Sequence, residues 1–217
     1  MNKIKDINEV VEYIKDGMTL MIGGFMAVGT PEILINAILE KGIKDLTIIA
    51  NDTGFVDKGI GKLIINKRVK KVIASHIGLN PETGIQMNNK ELIVDLIPQG
   101  TLIEQIRCGG SGIGGFLTET GLGTIVEEGK QKMNLGNKEY LLELPLRADI
   151  ALIRGSVVDK AGNVFYNGST RNFNPIIATA ADLVIVGAEK IVEVGELNPN
   201  YIMTPGIFVD YIVGGEK

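Results

Sequence analysis

The sequence predicts an α/β fold, an open and mostly parallel sheet with flanking helices, forming a single domain over residues 1–217. Three observations carry that expectation. Short unbroken apolar runs alternate with segments of helical period, which is the pattern of parallel βαβ units whose strands are covered on both faces. Glycine supplies 28 of the 217 residues, about twice the usual share of roughly 7%, so many tight turns separate those elements. The chain is 45% hydrophobic with no shift in composition, no low-complexity tract and no visible internal repeat, which suits one substantial core.

Taken in order, Asp6 with Glu9 three residues later forms a capping pattern. Ile7, Val10, Val11 and Ile14 then follow at helical spacing up to Gly17. Residues 18–22 are continuously apolar and read as a buried strand. Gly23, Gly24 and Gly29 follow, then Thr30 and Pro31, an N-cap and a first helical residue that needs no donor. A helix from there to about Lys41 has Ile33, Leu34, Ala37 and Ile38 on its buried face and Gly42 at its end. Residues 46–50 make a second strand, 58–67 a helix, 71–75 a third strand and 91–97 a fourth. Pro98, Gln99 and Gly100 break that strand, and Thr101 caps a helix to about Arg107. From Glu139 the pattern turns strand-like: residues 139–144, 148–154, and a hairpin of 157–158 with 164–166 around a turn at 159–163. Residues 174–181 read as a helix and 183–188 as the last buried strand.

Charge and cysteine content exclude several function classes. A net charge of −4 and a pI near 5.2, with no basic stripe carrying aromatics, speak against nucleic acid. A single cysteine, Cys108, permits no internal disulfide and no cysteine zinc cluster, and it suits a reducing compartment, with the cytoplasm as default. The N-terminus opens as an amphipathic helix, and the apolar stretch 18–29 is too short and glycine-rich to span a bilayer. Gly110, Gly112 and Gly115 match G-x-G-x-x-G by letter, but a helix precedes them and none clearly follows, so the dinucleotide context is missing. There is no G-x-x-x-x-G-K-[ST] either.

The region 16–31 is the most informative. Its glycines bare the backbone, and its free N–H groups stand at a helix start whose dipole favours phosphate, carboxylate or a developing oxyanion. A tight βα connection without any ligand is the competing reading. The ordered string D-G-M-T-L-M-I-G-G-F-M-A-V-G-T-P resembles, without a gap, the N-terminal signature of the family I (3-oxoacid) coenzyme A transferases. The likeness is to their α subunit, as in acetate and butyrate–acetoacetate enzymes. L-I-P-Q-G-T-L at 96–102, R-C-G-G-S-G-I-G-G-F at 107–116 and the hairpin region are similar to corresponding family segments.

The resemblance implies ping-pong exchange of CoA between a short-chain acyl-CoA (acetoacetyl-, acetyl- or butyryl-CoA) and a carboxylic acid. A glutamate carboxylate acts as nucleophile and an oxyanion site serves each addition. The family's glutamate lies in Ser-Glu-Asn-Gly, which this sequence lacks. No catalytic residue is therefore expected in this chain. The implied partner is a β subunit carrying that motif, in an α2β2 or larger assembly. CoA is a substrate, and no metal or other cofactor is implied. Within this chain, Gly23, Gly24 and Gly29 would form a backbone loop for an anion or acyl group, with Phe25 as an apolar wall. Gln99 and the strand-end Asn51 would donate to a carboxylate or oxyanion. A surface glutamine and an Asx turn are the alternatives for those two.

Gly109, Gly110 and Gly112 either line an acyl channel or allow a tight loop at a subunit contact. Asp52 would repel an anionic substrate unless it orients a donor. His76, the only histidine, reads as a hydrogen-bonded structural residue, Cys108 as a small buried residue, and Glu32 as a partner of the helix dipole. Two further functions fit parts of the pattern: a sugar-phosphate isomerase of related fold, using the glycine loop for phosphate, and a non-catalytic acyl-CoA-binding module.

Overall fold

The computed structural model describes residues 2–215. In chain order the elements are α1 (Ile7–Val11), β1 (Thr19–Ile22), α2 (Glu32–Lys41), β2 (Leu46–Ile49), α3 (Gly61–Ile65), β3 (Val69–Ala74), α4 (Pro81–Asn88), β4 (Ile93–Leu96) and α5 (Gln99–Ser111). They continue as β5 (Phe116–Thr118), β6 (Lys132–Leu135), β7 (Lys138–Glu143), β8 (Ala148–Asp159), β9 (Val164–Phe165), α6 (Asn174–Ile177), β10 (Ala181–Val192) and β11 (Tyr211–Gly214).

The main sheet has the order β11-β10-β8-β1-β2-β3-β4, with β9 paired to β8. Every neighbour on that path is parallel; only β9 runs antiparallel. The chain winds outward from β1 to β4 on one side, and β8, β10 and β11 continue on the other. The order therefore reverses between β1 and β8, a place where open α/β sheets leave a crevice at the strands' carboxyl ends.

Strand side chains alternate between two cores, as a period of two requires. Leu20, Ile22, Ile48, Ile150 and Leu152 join α1, α2 and α3 through Val10, Leu34, Ile38 and Leu63. Met21, Ile49, Ala151, Ile153 and Val186 face the other way, onto Leu102 and Ile106 of α5 and Ile177 of α6. No described helix is long and apolar enough to cross a membrane.

Several expected boundaries move. Asp6 does cap α1, accepting from the Asn8 N–H at 2.8 Å, but the helix is a single turn and residues 12–18 form turns. Glu9 pairs with Lys5 rather than closing a capping box. Pro31, not Thr30, occupies the N-cap of α2, and Gly42 ends that helix at φ 76° as expected. Pro98 is the N-cap of α5, so Gln99 is its first residue and the helix runs on to Ser111. The 174–181 helix shrinks to Asn174–Ile177 because β10 already begins at Ala181.

Three features escape the sequence reading. Asn80 caps α4, with Pro81 at its first position. β5, β7 and β6 make a separate antiparallel sheet. There the buried Glu143 accepts from Lys130 Nζ at 2.5 Å and from Gln105 Nε2 at 2.9 Å, fastening the small sheet to α5. An edge strand, β11, lies beyond β10.

Candidate active site

A cleft of about 980 Å³ opens at the carboxyl ends of β1 and β2. Phe25, Met26 and Val28 from the loop after β1 form one wall, and Asn51 and Phe55 after β2 form the floor. Gln99, Ile103 and Arg107 of α5 face the segment 169–176, from which Ser169, Arg171, Asn172, Phe173, Pro175 and Ile176 complete the lining. The surface is mostly apolar, with a few convergent polar groups, the usual composition of a small-molecule site. Phe25, Met26 and Val28 are each about two-fifths exposed, at 41%, 38% and 44%.

The polar centre is Asn51, which is buried. Its Oδ1 accepts from Ser75 Oγ at 2.9 Å and from Gln99 Nε2 at 3.0 Å, and Ser75 Oγ also reaches the Asn51 carbonyl at 2.7 Å. Two donors on one oxygen set the amide's orientation, which leaves Nδ2 as the group without a protein partner among the described residues. This gives a fixed N–H donor in the cleft floor, suited to a carbonyl oxygen that gains negative charge. Gln99 is exposed and spends one donor on Asn51, so part of its expected role passes to the asparagine.

The glycine loop works differently from the sequence expectation. The Gly23 N–H donates to Leu152 O at 3.0 Å and the Gly24 N–H to Asn172 Oδ1 at 3.1 Å, so neither is free for an anion. These two glycines, with Gly29, lie outside the cleft lining. Their lack of a Cβ serves packing: one on Gly23 would meet Asn174 Oδ1 at 1.9 Å, and one on Gly29 would meet Thr170 O at 2.5 Å. The loop contributes its apolar residues to the cleft, while the glycines let segment 169–174 close against it.

That closure rests on asparagines the sequence reading passed over. Asn174 is fully buried; its Nδ2 donates to Gly29 O at 3.0 Å and Thr170 O at 2.8 Å, and its Oδ1 accepts from the Arg154 N–H at 3.1 Å. Asn172 Nδ2 donates to Val28 O at 2.8 Å. The string R-N-F-N-P held the clue, because paired asparagines before proline favour side-chain-to-backbone bonding over helix. Arg171 was also missed. It is exposed in the cleft and pairs with no carboxylate among the described residues, whereas Arg107 pairs with Glu104.

The glycine loop also has a counterpart. G-F-x-x-x-G occurs at 24–29 after β1 and again at 54–59 after β2, a six-residue local repeat on adjacent strands that corrects the expectation of none. Phe25 bridges Val28 in the first copy and Phe55 bridges Lys58 in the second. Glu32 joins the two loops, accepting from the Gly59 N–H at 2.6 Å and from Lys62 Nζ at 2.8 Å, a more specific duty than a dipole partner. Asp52 is buried at 4% exposure and accepts from the Met26 N–H at 2.9 Å. Burial pushes its carboxyl above the usual value, opposed by the Met26 and Gly54 N–H groups and by His76.

His76 itself is exposed and its ring makes no hydrogen bond among the described residues, so the expected bonded structural histidine is not found; only its backbone bridges Asp52. Cys108 is buried in α5, and burial raises its thiol pKa, as fits a packing residue. Gly109 and Gly110 lie in the last turns of α5, with Gly112 as its C-cap, and none of the three lines the cleft. A Cβ on Gly109 would meet Leu146 O at 1.9 Å and one on Gly110 would meet Thr179 Oγ1 at 2.1 Å. Gly109 and Gly110 are thus helical residues packed closely on the chain entering β8 and on the chain after α6, not part of a loop.

With this geometry in hand, residues 4–215 match the family model described as Coenzyme A transferase. The chain belongs to the coenzyme A transferase family. It is 59% identical over 215 residues to a protein of Escherichia coli K12 named acetate CoA-transferase subunit alpha, covering 99% of this chain and 98% of that one. It is 57% identical over 212 residues to the acetoacetyl-CoA:acetate/butyrate CoA transferase alpha subunit of Clostridium acetobutylicum, covering 98% and 97%. Among solved structures, an acyl-CoA transferase of Escherichia coli O157:H7, crystallised as a thioester complex with CoA, superposes with a TM-score of 0.86 at 25% identity. The match takes in 98% of this chain but 47% of that one, so this transferase chain spans about half the length of that solved chain.

Proposed function

We propose that this chain is the α subunit of a heteromeric transferase that moves CoA between a short-chain acyl-CoA and a carboxylic acid such as acetate, butyrate or acetoacetate. The observation that carries this is the pair of coverages. Relatives named as α subunits match from end to end, while the single-chain acyl-CoA transferase is about twice as long. A second chain would supply the other half, including the nucleophilic glutamate in Ser-Glu-Asn-Gly that this sequence lacks.

In that reading the acyl group sits among Phe25, Phe55, Ile103 and Ile176. The partner's carboxylate oxygen attacks the thioester carbonyl, the carbon–sulfur bond breaks, and CoA thiolate leaves an acyl-glutamyl anhydride. The thiolate then attacks the glutamyl carbonyl and releases the first carboxylate. The second carboxylate runs the same two steps in reverse. Asn51 Nδ2 donates to the oxygen that bears charge in an addition step, and Arg171 draws the anionic substrate into the cleft. One thioester forms as another breaks, so neither ATP nor a resident cofactor is required. An α2β2 or larger assembly in the cytoplasm is the setting this reading implies.

The test is co-expression with a β chain carrying Ser-Glu-Asn-Gly and an assay of CoA transfer from acetoacetyl-CoA to acetate, with each chain alone as control. Transfer by the pair only, abolished by replacing the partner's glutamate, is the expected result. Turnover by this chain alone, or an inactive pair across short acyl groups, would overturn the proposal.

A further inference from the structure

The wall of the cleft formed by residues 25–28 is a strained turn. Phe25 and Val28 exchange hydrogen bonds at 3.0 and 2.9 Å, and between them Met26 and Ala27 both have positive φ, 50° and 63°. Two consecutive left-handed residues define the type I′ hairpin turn, which ordinarily takes Asn-Gly because a Cβ is disfavoured there. Here the two positions carry Met-Ala. The sister turn at 55–58 shows that the pattern itself does not demand this form, since Val56 and Asp57 are not in the left-handed region.

Something must hold the first turn in the less favourable hand. Two cross-turn bonds alone are common to relaxed turns as well. The distinguishing contact is Asp52 Oδ2, which accepts from the Met26 N–H at 2.9 Å. This donor lies inside the turn and has no partner in the hairpin itself. The carboxylate is 4% exposed, so water competes little for the bond. Beneath the turn, Ala27, Thr30, Asp52 and Gly54 line a void of about 10 Å³, so packing from below does not hold the turn and the Asp52 bond is the contact that does. Asp52 is absent from the cleft lining. Its charge therefore acts on the backbone from behind and not on a substrate.

We propose that Asp52 is a positioning residue, whose carboxylate locks the Met26–Ala27 turn in its left-handed form and thereby fixes Phe25, Met26 and Val28 as the acyl-side wall of the cleft. The inference rests on the transferase reading for its catalytic consequence, but the lock itself can be measured without activity. In Asp52→Ala, kcat/KM for acyl-CoA in the assembled enzyme falls about tenfold, and Ala27→Gly placed in the same chain restores most of that loss relative to Ala27→Gly alone, because glycine removes strain the carboxylate had opposed. A merely structural aspartate would not be rescued by a glycine in the turn.

Amide hydrogen exchange at Met26, read in the full chain, provides the second measurement: exchange speeds up in Asp52→Ala, and less so in Asp52→Asn, which keeps an acceptor oxygen and serves if the alanine variant fails to fold. Unchanged Met26 exchange in either variant overturns the proposal, as does a folded Asp52→Ala enzyme that Ala27→Gly does not rescue. A wild-type pair without any CoA transfer would instead sink the transferase reading, while the exchange result would still decide the lock.

Discussion

Gln99 Nε2 donates to Asn51 Oδ1 across 3.0 Å, tying the first residue of α5 to the carboxyl end of β2. With Ser75 on the same oxygen, the bond fixes the amide of Asn51, which lines an otherwise mostly apolar cleft. Asn51→Ala should lower kcat of the assembled enzyme by about a hundredfold, the scale of losing one oxyanion donor. Gln99→Ala should cost about tenfold, because Ser75 still holds the amide. The double variant should be no worse than Asn51→Ala, since Gln99 acts through Asn51. Steady-state kinetics on the three variants decide this, and fully additive losses would mean that Gln99 meets the substrate directly.

Glycines in this chain are not interchangeable, and two of them give opposite signs. A Cβ on Gly23 would lie 1.9 Å from the buried Asn174 Oδ1. Gly23→Ala should therefore destabilise by about 1–3 kcal/mol through overpacking and a lost asparagine network. Gly84, inside α4, would meet nothing within 4 Å. Gly84→Ala should stabilise by about 0.5–1 kcal/mol, chiefly by restricting the unfolded chain. Denaturant titrations of both variants check the pair of signs.

Arg171 offers a positive charge in the cleft with no carboxylate partner among the described residues. Arg171→Ala should raise KM for the anionic carboxylate about fivefold with kcat little changed, the signature of lost uniform binding. The salt dependence of KM should flatten in the variant, because screening of an exposed charge disappears with the charge. A fall in kcat at constant KM would instead place the guanidinium in the transition state.

Asp52 sets an unusual pH slope. Its carboxyl is raised above the usual aspartate value, with burial as the largest cause, so the folded chain holds this proton more tightly than the unfolded chain does. Between the ordinary and the raised value the native state binds more protons, and stability therefore falls as pH rises through that window. This is the reverse of a salt-bridged aspartate. Thermal melts from about pH 3 to about pH 7 should show wild type losing stability relative to Asp52→Asn as pH increases across the carboxylate range. A pH-independent difference would show that burial does not govern this group.

The central strands of the sheet were legible in the sequence because they bury both faces. Continuous runs such as Leu20–Ile22 and Ile48–Ile49 need no knowledge of their neighbours to be read as interior strands. Asn51 could be placed at a strand's carboxyl end, and Phe25 beside the glycines, for the same local reason. Of the small antiparallel sheet only β7 was legible: β6 is exposed along its whole length and its Lys-Met-Asn-Leu alternation spans just four residues, and β5 has three. Asn174 was only half legible: R-N-F-N-P marks local bonding such as that to Thr170, but its partners Gly29 and Arg154 lie far off in sequence, and a long-range bond leaves no mark on adjacent residues.

By itself, then, the sequence determined the α/β class, the glycine-loop signature and the residues at the ends of β1 and β2. Those depend on hydrophobic period and turn chemistry, which act over a few residues. Only the tertiary structure decided that the glycines are packing surfaces, that Asn51 carries the oriented donor, and that Arg171 and the 169–176 segment complete the cleft. Those facts arise where segments distant in sequence meet: Met21 of β1 lies beside Ala151 of β8, 130 positions on, and Gln99 reaches Asn51 across 48.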